Sequence, residues 1–339
     1  MLPTTETNGD ESNKFSEEEK ILLMALQYNF PLSEEPYFDV ADFTGLKIEY
    51  ILSKTKDFLK KGVIKRVGAQ LNYKAFKEIG FAALIGASVN LEDVTRVAQI
   101  INSFNPKHNY LRDDEEYNVW FTLKERSPEK LKELVRKVME KCSIGDYVYL
   151  PSKRVYKMDV KYDLFRGISY SEAGIENPSV PKVEDVGVNA KLLLELERSF
   201  KVEERPFKRI AQKYGLGEGE LISLIGELIE LRVIRGFYAV LKERKIGFAE
   251  NAMNMVETEK TKKVALKLLK NFPEITHLVE RETDSKWRYP LYFMIHASRK
   301  EAIEEIRERA LSVPEVNSIK TLYSLKDLKG ENDSSVAKA

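Results

Sequence analysis

Apolar residues in EEEKILLMALQ (17–27) recur at helical spacing directly after Ser16, and Glu19 stands three residues on, the spacing of a capping box. A short amphipathic segment, FDVADFTG, and a longer one, KIEYILSKTKDFLKKG, follow before the period changes to that of a strand pair around VIKRVGAQL. Three short helices and a strand pair predict a winged helix-turn-helix over 16–75. From residue 80 the pattern alternates strand and helix through AALIGASV, LEDVTRVAQIINSF, KHNYLRD, YNVWFTLKE, SPEKLKELVRKVMEKC and DYVYLPSKRVYK. That β-α-β-β-α-β order predicts a ferredoxin-like unit over 80–157.

The series then returns. GVIKRVGAQL (62–71) aligns with RVIRGFYAVL (232–241), FNPKHNYLR with FPEITHLVER, YNVWFTL with YPLYFMI and Ser152 with Ser324, all about 170 residues apart. A second winged helix-turn-helix is expected over 187–243 and a second ferredoxin-like unit over 247–326. The expected fold class is α+β: two tandem repeats, each a winged helix-turn-helix followed by a ferredoxin-like βαββαβ domain. Residues 158–186, with Gly167, Gly174, Pro178 and Pro181 and no sustained period, read as a linker, and the polar tails 1–15 and 329–339 read as disordered. Each sheet has one face for its own helices and another rich in Tyr, Trp and Phe. The two units are therefore expected to pack together as an intrachain pseudo-dimer, with a homo-oligomer left open.

Composition narrows the classes. With 43% hydrophobic and 32% charged residues, the chain is globular rather than disordered in bulk. The acidic N-terminus and the lack of any run of 18 apolar residues predict a cytoplasmic protein without a membrane partner. One cysteine, Cys142, excludes an intrachain disulfide and a multi-cysteine metal site, and its place at a helix end predicts an inert thiol. A net charge of +1 is small for a protein whose main task is holding nucleic acid. In the second helix-turn-helix, the segment that would enter a major groove, LGEGELISLIGELIEL, carries Glu218, Glu220, Glu227 and Glu230 and no basic residue. The counterpart in the first half has Lys54, Lys56, Lys60 and Lys61, which equally suit a solvated face. A ligand-responsive DNA-binding regulator is the alternative to an enzyme.

Of three histidines in the chain, His108 and His277 fall at matching positions of the repeats. Alternation along a strand puts His108, Tyr110 and Arg112 on one face, and His277, Val279 and Arg281 on one face, with His and Arg about 13 Å apart. Read singly, such residues are satisfied polar groups, the arginines capping carbonyls; their recurrence favours function. Phe121 and Phe293 suit sheet core, whereas Trp120, Trp287, Tyr289 and Tyr292 also suit a flat apolar ligand. Lys65, Arg66 and Arg235 lie on the wings and reach carboxylates if a wing folds over the ligand. His296 has no counterpart in the first half and reads as a strand-end packing residue. No phosphate loop or dinucleotide fingerprint occurs.

A winged helix followed by a ferredoxin-like domain resembles the Lrp/AsnC family. Within it, KHNYLRDDEEYNVWFT (107–122) is similar to the signature of the first subunit type of the siroheme decarboxylases, and FAENAMNMVE with THLVERETDSKWRYPLYFMIHA (276–297) to the second. The chain thus resembles a fusion of both types. It departs from the pattern at Leu278 and Val279, where a cysteine and a tyrosine are usual, and at Arg288, where a proline is common. The resemblance implies non-oxidative loss of CO2 from the C12 and C18 acetates of siroheme, giving 12,18-didecarboxysiroheme for haem or haem d1 synthesis. It requires no cofactor beyond the substrate's own iron. His108 and His277 are then proton donors or axial ligands of that iron, with Tyr110 beside them and Arg112 and Arg281 orienting carboxylates. Whether one half or both are catalytic stays open at this level.

Overall fold

The computed structural model describes residues 14–28, 30–76, 80–172, 179–198, 200–284 and 287–329. Residues 1–13 and 330–339, most of the tails expected to be disordered, lie outside the described residues, as do Gly174 and Pro178 of the expected linker.

The first half runs α1 (Glu17–Tyr28), α2 (Pro36–Thr44), α3 (Ile48–Lys60), β1 (Ile64–Leu71), β2 (Phe81–Ala87), α4 (Val94–Asn102), β3 (Asn109–Arg112), β4 (Val119–Glu125), α5 (Pro128–Cys142) and β5 (Tyr147–Met158). Two short strands follow, β6 (Tyr162–Asp163) and β7 (Ile168–Ser169). The second half repeats the plan with α6 (Ala190–Arg198), α7 (Pro206–Lys213), α8 (Glu218–Glu230), β8 (Ile234–Leu241), β9 (Glu250–Glu257), α9 (Thr261–Asn271), β10 (His277–Arg281), β11 (Leu291–Ala297), α10 (Lys300–Leu311) and β12 (Ser318–Asp327). The capping box at α1 is formed in both directions: Ser16 N–H donates to Glu19 Oε2 at 2.9 Å and Glu19 N–H to Ser16 Oγ at 3.2 Å.

The two four-stranded sheets, ordered β5-β2-β4-β3 and β12-β9-β11-β10, do more than stack. β5 pairs with β10 and β3 with β12, so the strands close into one ring, β10-β5-β2-β4-β3-β12-β9-β11 and back to β10. Closure removes every free edge of the eight strands. Alternation sorts their side chains. Phe121 and Phe293 point outward into cores covered by helices, whereas Trp120, Tyr117, Trp287, Tyr289 and Tyr292 pack inside the ring with Leu84, Leu150, Met253, Met255 and Leu322. Gly86 on β2 makes room for this filling, since a Cβ there would lie 2.7 Å from Trp120 Cη2. Gly86→Ala should therefore lower stability by about 1–3 kcal/mol through overpacking. The urea midpoint reads this directly, and an unchanged midpoint would show that the indole yields freely.

The wings differ from expectation. Each half supplies a single strand rather than a pair, and β1 and β8 pair antiparallel with each other across the halves, Val67 opposite Ala239 and Gly68 opposite Tyr238. Among the described residues, β1 and β8 form a two-stranded sheet of their own. The helices of both halves share one core over this ribbon, where Phe30, Phe200 and Phe237 meet with ring centroids 4.8 to 5.8 Å apart. Gly68, at φ +152°, lets α6 rest on β1, and a Cβ would meet Leu196 O at 2.3 Å. The expected linker is partly built in as well. Gln27 Nε2 donates to Tyr162 O and Tyr162 N–H to Gln27 Oε1, both at 2.8 Å, while Ser169 Oγ donates to Glu274 O at 2.7 Å. Among the described residues no helix is long and apolar enough to cross a membrane.

Candidate active site

β3 and β10 stand four antiparallel steps apart in the ring and so run in the same direction. His108, just before β3, and His277, opening β10, consequently lie at the same end of the barrel. The β1–β8 ribbon crosses that end: Lys124 of β4 lies 5.8 Å from the Tyr73 ring that follows β1, and Tyr238 of β8 donates to Asp159 Oδ1 beyond β5 at 2.9 Å. The ribbon thus faces the barrel end that carries both histidines, and charged groups of the two halves meet there. The charged neighbours of His277 include Lys107, His296, His108 and Arg235, and those of Lys107 are Lys124, Arg235 and Lys65.

The electrostatics are those of a desolvated site. His108 touches solvent, yet surrounding protein strips its hydration, and this desolvation, followed by Lys107, Lys329, Lys124 and Arg112, pushes its pKa down to about 3. Desolvation likewise takes His277 well below the ordinary imidazole value, and it takes Lys107 down to about 8, assisted by Lys124, Arg235 and Lys65. Both shifts favour the neutral imidazole in the free chain. Lys107, Lys124, Lys65 and Arg235 bring positive charge together at this end of the barrel, while Glu243 lies near His296 and both Glu243 and Asp327 lie near Tyr110.

The predicted residues fall into groups. His108 stacks on Tyr110 with centroids 6.1 Å apart, and the Arg112 guanidinium lies 5.4 Å from the Tyr110 ring centroid. Arg112, 4% exposed, donates from Nη1 to Leu322 O at 2.9 Å; Arg281 donates from Nη1 to Leu150 O at 3.1 Å and lies 5.1 Å from the Tyr292 ring. Leu150 and Leu322 occupy matching positions, so each arginine bonds the opposite half. Burial lowers both guanidinium pKa values to about 10, leaving them charged at neutral pH, and each Nε lacks a hydrogen-bond partner among the described residues. Arg235 Nη2 donates to Asn72 Oδ1 at 3.2 Å, and Lys65 is exposed near Lys107. Arg66 instead turns to the ribbon's own contact with α6, donating to Ala69 O at 3.0 Å and Gln70 Oε1 at 2.7 Å, with Glu197 3.6 Å away. Trp120, Trp287, Tyr289 and Tyr292 form the packed barrel interior, Trp120 and Trp287 6.2 Å apart, and Trp287 Nε1 donates to the Tyr292 hydroxyl at 2.5 Å. At the far end of the barrel, Trp287 and Tyr289 border a cleft of about 520 Å³ with Arg288 and Lys320. Cys142 is buried, and burial raises its thiol pKa.

Four functional candidates escape sequence reasoning. Lys107 adjoins His108, and Lys124 lies on the inward face of β4. Continuing the YNVWFTL and YPLYFMI alignment past its end pairs Lys124 with His296, so His296 does have a positional counterpart. It is 6% exposed, stands edge-on to Tyr162 at 5.9 Å, and neither ring nitrogen has a hydrogen-bond partner among the described residues. Thr276 holds His277 by its Nδ1, 3.0 Å away.

Comparison with known proteins agrees with this geometry. Residues 78–157 and 245–329 match the AsnC-like ligand binding domain, and 19–65 and 189–235 the siroheme decarboxylase NirDL-like HTH domain. The siroheme decarboxylase of Hydrogenobacter thermophilus is 28% identical over 91% of this chain and 92% of its own. The siroheme decarboxylase alpha subunit of Nitratidesulfovibrio vulgaris is 32% identical over 42% of this chain and 78% of its own. The crystal structure of the siroheme decarboxylase NirDL in co-complex with an iron-uroporphyrin III analogue superposes with a TM-score of 0.61 at 24% identity, covering 92% of each chain, and so shares the fold. With two copies of each domain and similarity along nearly its whole length, the chain belongs to the siroheme decarboxylase family.

Proposed function

We propose that the chain removes CO2 from the C12 and C18 acetates of siroheme without an oxidant, leaving methyl groups and yielding 12,18-didecarboxysiroheme. The observation that carries this reading is the cluster of cationic groups around His108 and His277, to which both halves contribute. A flat ligand with eight carboxylates matches this concentration of positive charge. Lys107, Lys124, Lys65, Arg235 and Lys329 bind those carboxylates, Arg112 and Arg281 carry fixed charge deeper in the barrel, and the aromatic interior closes the floor beneath the macrocycle. Tyr110 keeps the His108 ring in place by stacking.

The chemistry follows from charge. When the C–CO2 bond breaks, its electron pair stays on the former CH2 carbon and spreads into the macrocycle, and a proton must then reach that carbon. A neutral imidazole is a poor acid. Desolvation depresses the histidine pKa values most and the lysines add to it; carboxylates brought in by the ligand counter the lysines and so shift the histidines toward the imidazolium, the effective donor. The substrate provides its own electron sink, so no added cofactor is required. The test is anaerobic incubation with siroheme followed by mass analysis: loss of two CO2 units is expected, and bound but unaltered siroheme would favour the regulator instead.

The helix-turn-helix units serve as scaffold. α8 buries Leu221, Ile225 and Leu228, and its Glu218 is tied to Arg205 at 2.7 Å. In a mobility-shift assay at about 0.15 M salt, no sequence-selective binding tighter than roughly 10⁻⁷ M is expected. Such binding would restore the regulator reading.

A further inference from the structure

The two repeated histidines are held differently. Thr276, 1% exposed, immediately precedes His277, and its Oγ1 lies 3.0 Å from His277 Nδ1 and 3.2 Å from Met294 O on β11. Its backbone N–H also donates to Met294 O, at 2.9 Å, which fixes the residue against the strand. A hydroxyl has one proton. Given to the Met294 carbonyl, which can only accept, it leaves Oγ1 as an acceptor, and the imidazole must then carry its own proton on Nδ1. The counterpart of Thr276 in the first half is Lys107, which has no acceptor at all, and His108 is held by stacking on Tyr110.

We propose that Thr276 is a positioning residue that keeps the His277 proton on Nδ1 and makes Nε2 the nitrogen that exchanges its proton with the substrate. In the charged ring, Nδ1–H stays on Thr276 and Nε2–H faces the substrate. Cleavage of the C–CO2 bond leaves an electron pair on carbon, the Nε2 proton adds to that carbon, and CO2 departs. The ring returns to the neutral Nδ1–H tautomer that Thr276 already stabilises, so no tautomer shift or ring flip follows the transfer. His108, without this partner, has no such preferred tautomer and serves with Lys107 and Lys124 in holding carboxylates. The two halves thereby divide the work between them.

The kinetic arm of the test rests on the decarboxylase reading; the tautomer arm does not. The full chain, labelled with ¹⁵N-histidine, gives a spectrum of only three imidazoles, and His277 is assigned by its loss in His277→Gln. In the ligand-free protein at neutral pH, protonated Nδ1 and unprotonated Nε2 are expected for His277 in the wild type and in Thr276→Ser, with mixed tautomers in the isosteric Thr276→Val. Single turnover of siroheme should be about 10-fold slower or more in Thr276→Val, with unchanged tetrapyrrole affinity and with the rate restored in Thr276→Ser. A His277 protonated on Nε2 in the wild type overturns the proposal by itself, as does a Thr276→Val protein that keeps both tautomer and rate. A wild type with the expected tautomer and no turnover would uphold the Thr276 contact and reject the decarboxylase reading.

Discussion

In His277→Ala, single-turnover decarboxylation should slow by roughly 10²-fold or more while tetrapyrrole binding persists, because general acid catalysis contributes about 10² to 10⁴. The size of the effect follows from the surroundings: Val279 offers no hydroxyl, and among the described residues neither ring nitrogen of the buried His296 has a hydrogen-bond partner to relay a proton. His108→Ala should also slow the step, and in addition weaken binding, since its neighbours Lys107, Lys124 and Lys329 mark the carboxylate-holding side. Loss of an iron-ligand absorption signature in either variant would reassign that histidine as the axial ligand. Full activity in both variants would remove them as acids. Arg112→Ala and Arg281→Ala need a stability control, because each arginine bonds a carbonyl of the opposite half and its loss loosens the barrel as well as the site.

Removing two of the clustered lysines together, Lys107→Met with Lys124→Met, should weaken tetrapyrrole binding by roughly 10²-fold or more, taking each charge-assisted contact as about 1.5–3 kcal/mol. The pH dependence gives an independent sign. Lys107 titrates at about 8 in the free chain, and ligand carboxylates raise that value on binding. The ligand thus prefers the protonated lysine: affinity is full below about pH 8 and falls as pH rises from there toward the bound-state pKa, by at most about tenfold per unit for this one group. Absorbance titrations from neutral pH to above 9 should show this fall in the wild type and its attenuation in Lys107→Met. A flat profile would mean that Lys107 does not meet a carboxylate.

Much of this architecture is legible locally and the rest is not, for physical reasons. Each helix and strand carries its own period, so the β-α-β-β-α-β order and its repetition stand in the sequence. Ring closure depends on edge strands finding partners more than a hundred residues away, Arg281 opposite Ser152 and Arg112 opposite Ser324, and no local pattern encodes that. The same holds for β1 and β8, whose alternation predicts a strand without naming its partner. Strands of two residues, such as those containing Tyr162 and Ile168, are too short for any period, so a built-in strap reads as linker. In the site, His108 and His277 are visible because identical residues recur. Lys124 and His296 are hidden because matching positions hold different residues, and a single lysine on a strand reads as solvated until the fold encloses it. Thr276 emerges only when the distance to His277 is known.

The claim that two halves build one site is tested most directly by the stoichiometry of tetrapyrrole binding to the full chain. Anaerobic titration with siroheme, followed by absorbance, should reach a single end point at one tetrapyrrole per chain, and His108→Ala and His277→Ala should perturb the spectrum of that same bound molecule. An end point of two per chain, with each variant altering only one of two separable spectra, would show instead that each half holds a site of its own.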